Sequence, residues 1–264
     1  MDMVKIGIIG GSGIYNPDKF ELIKTVFPDT EFGKPSDEIL IGKINGIEVA
    51  FLPRHGKNHQ HPPHSVPYRA NIAALRDLGV KMIISPCAVG SLREDYAPGD
   101  LVIVDQFVDF TKGRTYTFFD NKTIHTSMPD PFCSQMNNVF DKVAKEMGIR
   151  SHKGGVYVCI EGPRFSTRAE SHMFQGFADI IGMTVVPECQ LAREAGMCYC
   201  SLATITDYDA WKEETVDIKM VLKTMSECLA KITQMLEKGL PLVEKLPACS
   251  CIKAAIESGA IEKK

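Results

Sequence analysis

No stretch of the chain is long and apolar enough to span a bilayer, which excludes a helical membrane anchor. Excess basic charge is missing too. Thirty lysines and arginines against 33 aspartates and glutamates leave a formal net charge of −3, so the global field offers nothing to nucleic acid or to an anionic membrane. Residues 1–13 lack the basic start, long apolar middle and small-residue cleavage site of a secretory signal, and a cytoplasmic protein is expected. There is no repeat, low-complexity tract or linker, and 1–264 is expected to be one domain. No G-x-x-x-x-G-K-[ST] occurs anywhere. Gly10-Gly11-Ser12-Gly13 is interrupted by Asn16-Pro17 before it can open the helix of a dinucleotide fingerprint. Rossmann oxidoreductases and P-loop enzymes are thereby set aside.

What is present is an alternation of short β-branched runs with amphipathic segments, the pattern of an α/β protein. A strand is predicted over Val4–Ile9. Glu38–Ile44 and Ile47–Pro53 flank Asn45-Gly46, the residues of a two-residue hairpin turn, so the sheet must be mixed. Helices are predicted over Pro67–Leu78, Phe132–Met147, Thr167–Phe177 and Gln190–Ala195, with a long one from about Val216 to Lys238. Further strands are predicted over Lys81–Ser85, Leu101–Val108, Gly155–Ile160, Met183–Val186 and Cys198–Thr206. The thirty or so residues after Gly13 read as loop. Hydrophobic residues make up 44% of the chain, enough for a large core.

Several segments at strand ends have the chemistry of a site. Gly10 to Gly13 can expose backbone N–H groups to an anion or form a plain tight turn. Arg54-His55 offers a bidentate fork and a second donor. His55, His59, His61 and His64 suggest a metal, but the H-E-x-x-H glutamate is missing and Pro62-Pro63 indicates loop, so no metal is expected there. Cys87-Ala88-Val89-Gly90 is small and lies where α/β sheets open a ligand crevice. Phe165 can stack on a planar base and Thr167 can cap a helix. Asp207 and Asp209 sit at the end of the last core strand. Two carboxylates become informative beside an anion site, where one stays protonated as a general acid.

Taken in order, these segments resemble the 5'-methylthioadenosine phosphorylase branch of the trimeric-type purine-nucleoside phosphorylases, over nearly the whole chain. The resemblance rests on Gly10-Gly11-Ser12-Gly13, Arg54-His55-Gly56, Gly90-Ser91-Leu92-Arg93-Glu94, Pro98-Gly99-Asp100, Asp105-Gln106-Phe107, Glu161-Gly162-Pro163-Arg164-Phe165-Ser166, Met183-Thr184 with Pro187-Glu188, and Thr206-Asp207-Tyr208-Asp209. It implies a three-layer α/β/α fold with a central mixed sheet. It also implies phosphorolysis of a purine nucleoside, with inorganic phosphate as co-substrate and no organic cofactor or metal.

By the same resemblance Ser12, Arg54, His55, Cys87, Ala88 and Thr184 bind phosphate. Phe165 packs on the purine, Met183 lies beneath the ribose, and Asp207 and Asp209 read the base, with Asp207 as the acid. Val221 and Leu222 line the 5' side, His125 comes from a neighbouring subunit of a homotrimer or a hexamer of two trimers, and Ser166 and Ile218 tune specificity. Two aspartates favour a 6-aminopurine, because a carboxylate accepts from the amino group where a 6-oxo group would repel it. Ser12 stands where many members carry Thr, and Cys87-Ala88-Val89 replaces a common Thr-Ala-Cys. The Cys249-Ser-Cys251 tail resembles the Cys-x-Cys of thermostable archaeal relatives, which implies a redox-active or stabilising pair and a Cys133–Cys200 bridge. A four-thiolate zinc site of Cys198, Cys200, Cys249 and Cys251 and plain buried thiols remain as alternatives. A phosphorylase accepting inosine and guanosine as well, and a nucleoside-binding module without turnover, are the competing functions.

Overall fold

The computed structural model describes residues 4–11, 19–212 and 218–262. In chain order the elements are β1 (Ile6–Gly10), β2 (Glu21–Val26), β3 (Ile39–Ile44), β4 (Ile47–Pro53), α1 (Tyr68–Asp77), β5 (Met82–Ser91), β6 (Leu101–Phe110), α2 (Ser134–Glu146), β7 (Ser151–Ile160), α3 (Arg168–Phe174), β8 (Ile180–Gly182), α4 (Val185–Glu194), β9 (Cys198–Asp207), α5 (Ile218–Val243) and α6 (Cys251–Glu257). The sheet runs β2-β3-β4-β1-β5-β8-β7-β6-β9, and β9 pairs back onto β5. Parallel pairs (β1–β4, β1–β5, β5–β9, β6–β7, β7–β8) mix with antiparallel ones. The strands β5, β8, β7, β6 and β9 therefore close a ring, and β1 to β4 extend from it as an open sheet.

The two faces of the sheet bury different side chains. Along β9, Tyr199, Ala203 and Ile205 pack with α1 and α4, while Cys200 and Leu202 pack with α2 and α5. That is the period-2 alternation of a strand covered on both sides, and it gives the expected three layers. Local chemistry sets many boundaries. Asn45 and Gly46 both take positive φ (49° and 78°) in the β3–β4 turn. Thr167 and Glu170 form a reciprocal capping box at the start of α3. Gly79 and Gly148 follow α1 and α2 in the left-handed region.

Pro241 lies inside α5, where it removes the N–H that would bond to the carbonyl of Glu237. Asn45 Nδ2 donates to that carbonyl instead at 2.9 Å. The hairpin turn thereby closes a gap the proline opens.

Four expectations are corrected. The segment after Gly13 is not all loop, because β2 adds to the sheet edge through antiparallel pairing with β3. The strand predicted at Met183–Val186 is instead β8, three residues earlier, and α4 starts at Val185. β5 does not turn at Ser85 but continues to Ser91, held along its length by β9. The long helix predicted to end near Lys238 runs on to Val243, and α6 follows it.

Candidate active site

β5 changes partner along one side. β1 pairs with it as far as Ile84 and β8 pairs from Gly90. Among the described residues no strand lies on that side from Ser85 to Val89, so backbone groups there are left for a ligand. Cys87 and Ala88 fall in this gap, half-buried. Burial raises the Cys87 thiol above its ordinary value, and its Sγ lies 3.5 Å from Ser201 Oγ. The side chain is thus a neutral thiol facing a hydroxyl.

Arg54 ends the strand next door and is 2% exposed. Its Nε donates to Glu188 Oε2 at 2.7 Å and its Nη2 to Glu188 Oε1 at 2.9 Å. Nη2 also reaches Ser85 Oγ at 2.6 Å and the Ile9 carbonyl at 3.0 Å. Glu188, wholly buried, accepts further from Tyr199 Oη at 2.6 Å and Ser85 Oγ at 2.8 Å. The fork assigned to phosphate is therefore largely engaged by an internal carboxylate, and Nη1 is the part without a partner among the described residues. No site role is expected from the sequence for Glu188, Ser85 or Tyr199, yet all three join this network. Arg54 meets Glu188 across 134 positions and Ser85 across 31, which no local pattern records.

His55 Nδ1 lies 2.8 Å from the His61 carbonyl. A carbonyl only accepts, so Nδ1 carries the proton and Nε2 of the neutral ring is an acceptor. Burial, aided by the Arg54 guanidinium, pushes the imidazolium down to about 4. At neutral pH the ring is therefore neutral, and Nε2 can accept a hydrogen bond but not donate one. Thr184 lies just before α4, and its backbone N–H donates to Tyr157 Oη at 3.3 Å.

The two aspartates expected to read the base stand at and just beyond the end of β9. Asp207 Oδ2 lies 2.7 Å from Thr206 Oγ1, and Oδ1 accepts from Asp209 N–H at 2.8 Å. Thr206 Oγ1 is also 3.2 Å from the Val89 carbonyl. Both aspartates are buried. Burial, with a smaller push from Asp209, raises the Asp207 carboxyl above its ordinary value against the hydrogen bonds from Thr206 and Asp209. Asp209 has φ +52°, a conformation Asp tolerates better than most residues, and Ser166 Oγ donates between its two oxygens at 2.6 Å each. Trp211 Nε1 fixes the same turn to β5 through the Ser91 carbonyl at 2.8 Å.

Two glycines set the fit. A Cβ on Gly90 would stand 3.0 Å from Asp207 Oδ1, 3.1 Å from Ile181 Cγ2 and 3.2 Å from Asp209 Cβ. Its φ is not in the left-handed region, so Gly90→Ala is a purely steric change. It is expected to displace the Asp207 carboxyl by a fraction of an ångström and to lower kcat roughly tenfold, since misplacement of about 1 Å costs ~10²-fold. Steady-state kinetics with phosphate varied checks this, and an unchanged kcat would remove Gly90 from the positioning of Asp207. Gly162 leaves room for Met183, whose Sδ would lie 2.5 Å from a Cβ there. Met183 thus packs against the loop of Phe165, which is 43% exposed. Arg164 holds this loop by two 2.7 Å bonds to Glu170. Arg114, which no motif announced, ties the neighbouring loop to it through the carbonyls of Glu161 and Val186.

Other expected site residues are placed apart. His125 lines an open cleft of about 400 Å³ with Tyr116, Gln190 and Glu194, and no described contact joins it to Asp207 or Phe165. Ser12 lies outside the described residues, and so do the side chains of Ile218, Val221 and Leu222. None of the nine cysteines is joined in a disulfide. Cys133 is grouped with Cys198, Cys249 and Cys251, not with Cys200 alone. Cys198 and Cys200 point to the same face of β9, and the tail meets the first of them.

The comparisons with known proteins agree. A family model described as the phosphorylase superfamily matches residues 5–240. The chain is 57% identical over 250 residues to the S-methyl-5'-thioadenosine phosphorylase of Thermococcus kodakarensis, covering 94% of this chain and 96% of that one. It is 52% identical over 260 residues to the enzyme of the same name from Thermofilum pendens, covering 98% and 99%. The structure of methylthioadenosine phosphorylase from Schistosoma mansoni in complex with adenine matches with a TM-score of 0.91 at 38% identity, over 97% of this chain and 98% of that one.

Proposed function

From the premise that the chain belongs to the phosphorylase superfamily, in its S-methyl-5'-thioadenosine phosphorylase branch, we propose that it cleaves 5'-methylthioadenosine reversibly with inorganic phosphate, giving adenine and 5-methylthioribose-1-phosphate. The buried Asp207–Asp209 pair carries this reading. Ser166 donates its only hydroxyl proton to Asp209, so Asp209 faces the base as an acceptor and suits a 6-amino group. Asp207, raised by burial, keeps a proton for N7, so adenine departs neutral.

Bond cleavage leaves positive charge on the ribose. Phosphate, held by Arg54 Nη1, His55, Thr184, Ser12 and the uncommitted backbone at Cys87–Ala88, stabilises that charge and attacks C1' from the opposite face. Because Glu188 balances Arg54, the anion is held by directed hydrogen bonds more than by net charge. Phe165 stacks on the purine and Met183 lies under the sugar. Val221 and Leu222 wall the methylthio group, and Ile218 with Ser166 tunes the nucleoside accepted. The enzyme works as a homotrimer or a hexamer of two trimers, thermostable and cytoplasmic, with His125 completing a neighbour's site. Its separate cleft supports that role.

Purine release from methylthioadenosine, adenosine, inosine and guanosine, each with and without phosphate, tests the proposal. Phosphate-dependent adenine release, fastest from methylthioadenosine, is expected. Asp209→Asn is expected to raise the kcat/KM ratio of inosine to methylthioadenosine by tenfold or more, about the worth of one polar mismatch of ~1.4 kcal/mol or more. Release that ignores phosphate would replace phosphorolysis by hydrolysis, and binding without release would leave a nucleoside-binding module.

A further inference from the structure

Three distant parts of the chain bring four thiols to one point. Cys133 immediately precedes α2, Cys198 opens β9, and Cys249 and Cys251 flank the start of α6. Their sulfurs all lie within 4.8 Å of one another. Cys133 Sγ is 3.6 Å from Cys249 Sγ, which is 3.1 Å from Cys251 Sγ. Tetrahedral zinc with Zn–S of about 2.3 Å needs sulfurs about 3.8 Å apart. Cys133 and Cys251 are buried, and Cys198 and Cys249 are partly so. That is a closed first shell, with no position left over for water.

We propose that Cys133, Cys198, Cys249 and Cys251 form a structural zinc site that fastens the C-terminal helix to the core.

Three observations separate this site from a chance gathering of core thiols. First, Cys159 and Cys189 each direct Sγ to a backbone carbonyl (Val186 and Pro131). The four here face each other. Second, Cys133 occupies the N-cap of a 13-residue helix, where the positive end of the helix favours a thiolate. Third, a ZnS₄ centre is a dianion and needs a cation nearby in so apolar a surrounding. Arg193, 7% exposed, donates from Nη1 to the Cys251 carbonyl at 3.3 Å and from Nη2 to the Asp130 carbonyl. Its Nε is buried without a partner among the described residues. Binding is balanced by release of the thiol protons to solvent, with no change of oxidation state.

Soft four-sulfur coordination selects zinc over magnesium or calcium. The site also separates Cys198 from Cys200. Cys200 shares the face of β9 but is not among the four, so it is dispensable for zinc and indispensable for a Cys133–Cys200 bridge.

The test is the zinc content of the full-length protein, purified under reducing conditions without chelator. Metal analysis is expected to give one zinc per chain, released when the thiols are blocked with a mercurial. Cys198→Ser and Cys251→Ser are expected to lose the zinc, and Cys200→Ser to retain it. Where a serine variant does not fold, exchange of cobalt(II) into the wild-type protein decides. The thiolate-to-cobalt charge-transfer bands and intense visible bands of tetrahedral four-sulfur coordination support the site, and an octahedral spectrum overturns it. Folded wild-type protein without zinc overturns it as well, whether its thiols are free or joined as Cys133–Cys200 and Cys249–Cys251.

Discussion

Asp207→Asn is expected to fold at least as stably as the wild-type chain while losing about 10²- to 10⁴-fold in kcat for methylthioadenosine, the usual worth of a general acid. The hydrogen-bond network explains why both hold. Asp207 Oδ2 accepts from Thr206 Oγ1, which also lies 3.2 Å from the Val89 carbonyl, and Oδ1 accepts from Asp209 N–H. An asparagine keeps the acceptor for Asp209 N–H and donates its amide to Thr206 Oγ1, whose hydroxyl turns to the Val89 carbonyl, so no buried group is left unpaired, but the amide has no acidic proton to give to N7.

The pH dependence has a definite sign. A carboxyl raised on folding adds stability that is full below the ordinary carboxylate range and is lost as pH rises through its folded-state value. The asparagine does not titrate, so its advantage in Tm over wild type should grow from about pH 4 toward neutrality. Over the same interval wild-type kcat/KM should fall as the acid form is depleted, and the residual rate of the variant should stay flat. Thermal melts and phosphorolysis rates across pH check both. A variant that keeps its activity would move the acid elsewhere, and one that melts lower as pH rises would mean that Asp207 is needed ionised.

Glu188→Leu should lower stability by about 3–5 kcal/mol, because it leaves the Arg54 guanidinium buried and uncompensated. For a chain of this size that is a fall in Tm of roughly 6–20 °C. Ser85 and Tyr199 lose their acceptor in the same change. Replacing Arg54 by Met in the Glu188→Leu background should recover much of the loss, since what is costly is the unpaired charge, not the missing pair. Phosphate should raise the Tm of Glu188→Leu more than that of the wild type, because an anion at Arg54 then takes the place of the carboxylate. Calorimetry on the two single variants, the double variant and the wild type, with and without phosphate, measures the coupling. Additive losses would show that Arg54 and Glu188 do not depend on one another.

Features decided by neighbouring residues were readable in the chain. Asn45-Gly46 names its own turn, Thr167 its own cap, and the order of motifs identified the family. Features decided by distant partners were not. β2 has no apolar face to betray it, because it lies at the edge with most of its side chains in water. Ile180-Ile181 and Val185-Val186 are equally strand-like as sequence. The pairing of Gly90 and Ser91 with Ile181 and Ile180 selects the first. Arg54 was legible as an anion binder, but Glu188, far along the chain, takes most of its fork. The cysteines show the same limit. Alternation puts Cys198 and Cys200 on one face, and only the path of the tail decides which of them meets Cys133.

Among the described residues, the ring closed by β5, β8, β7, β6 and β9 leaves the sheet with a single outer strand, β2. Recruitment of a foreign strand, the first step of templated aggregation, therefore has one entry point. That margin is guarded in its sequence and its geometry. Glu21 and Lys24 carry charge along it, and its pairing with β3 slips between Leu22 and Lys24, so an incoming strand meets a broken ladder. Leu22 and Ile23, each about half exposed, are the weak point in this guard. Asp207 stands at the end of β9, which pairs with strands of the ring on both sides.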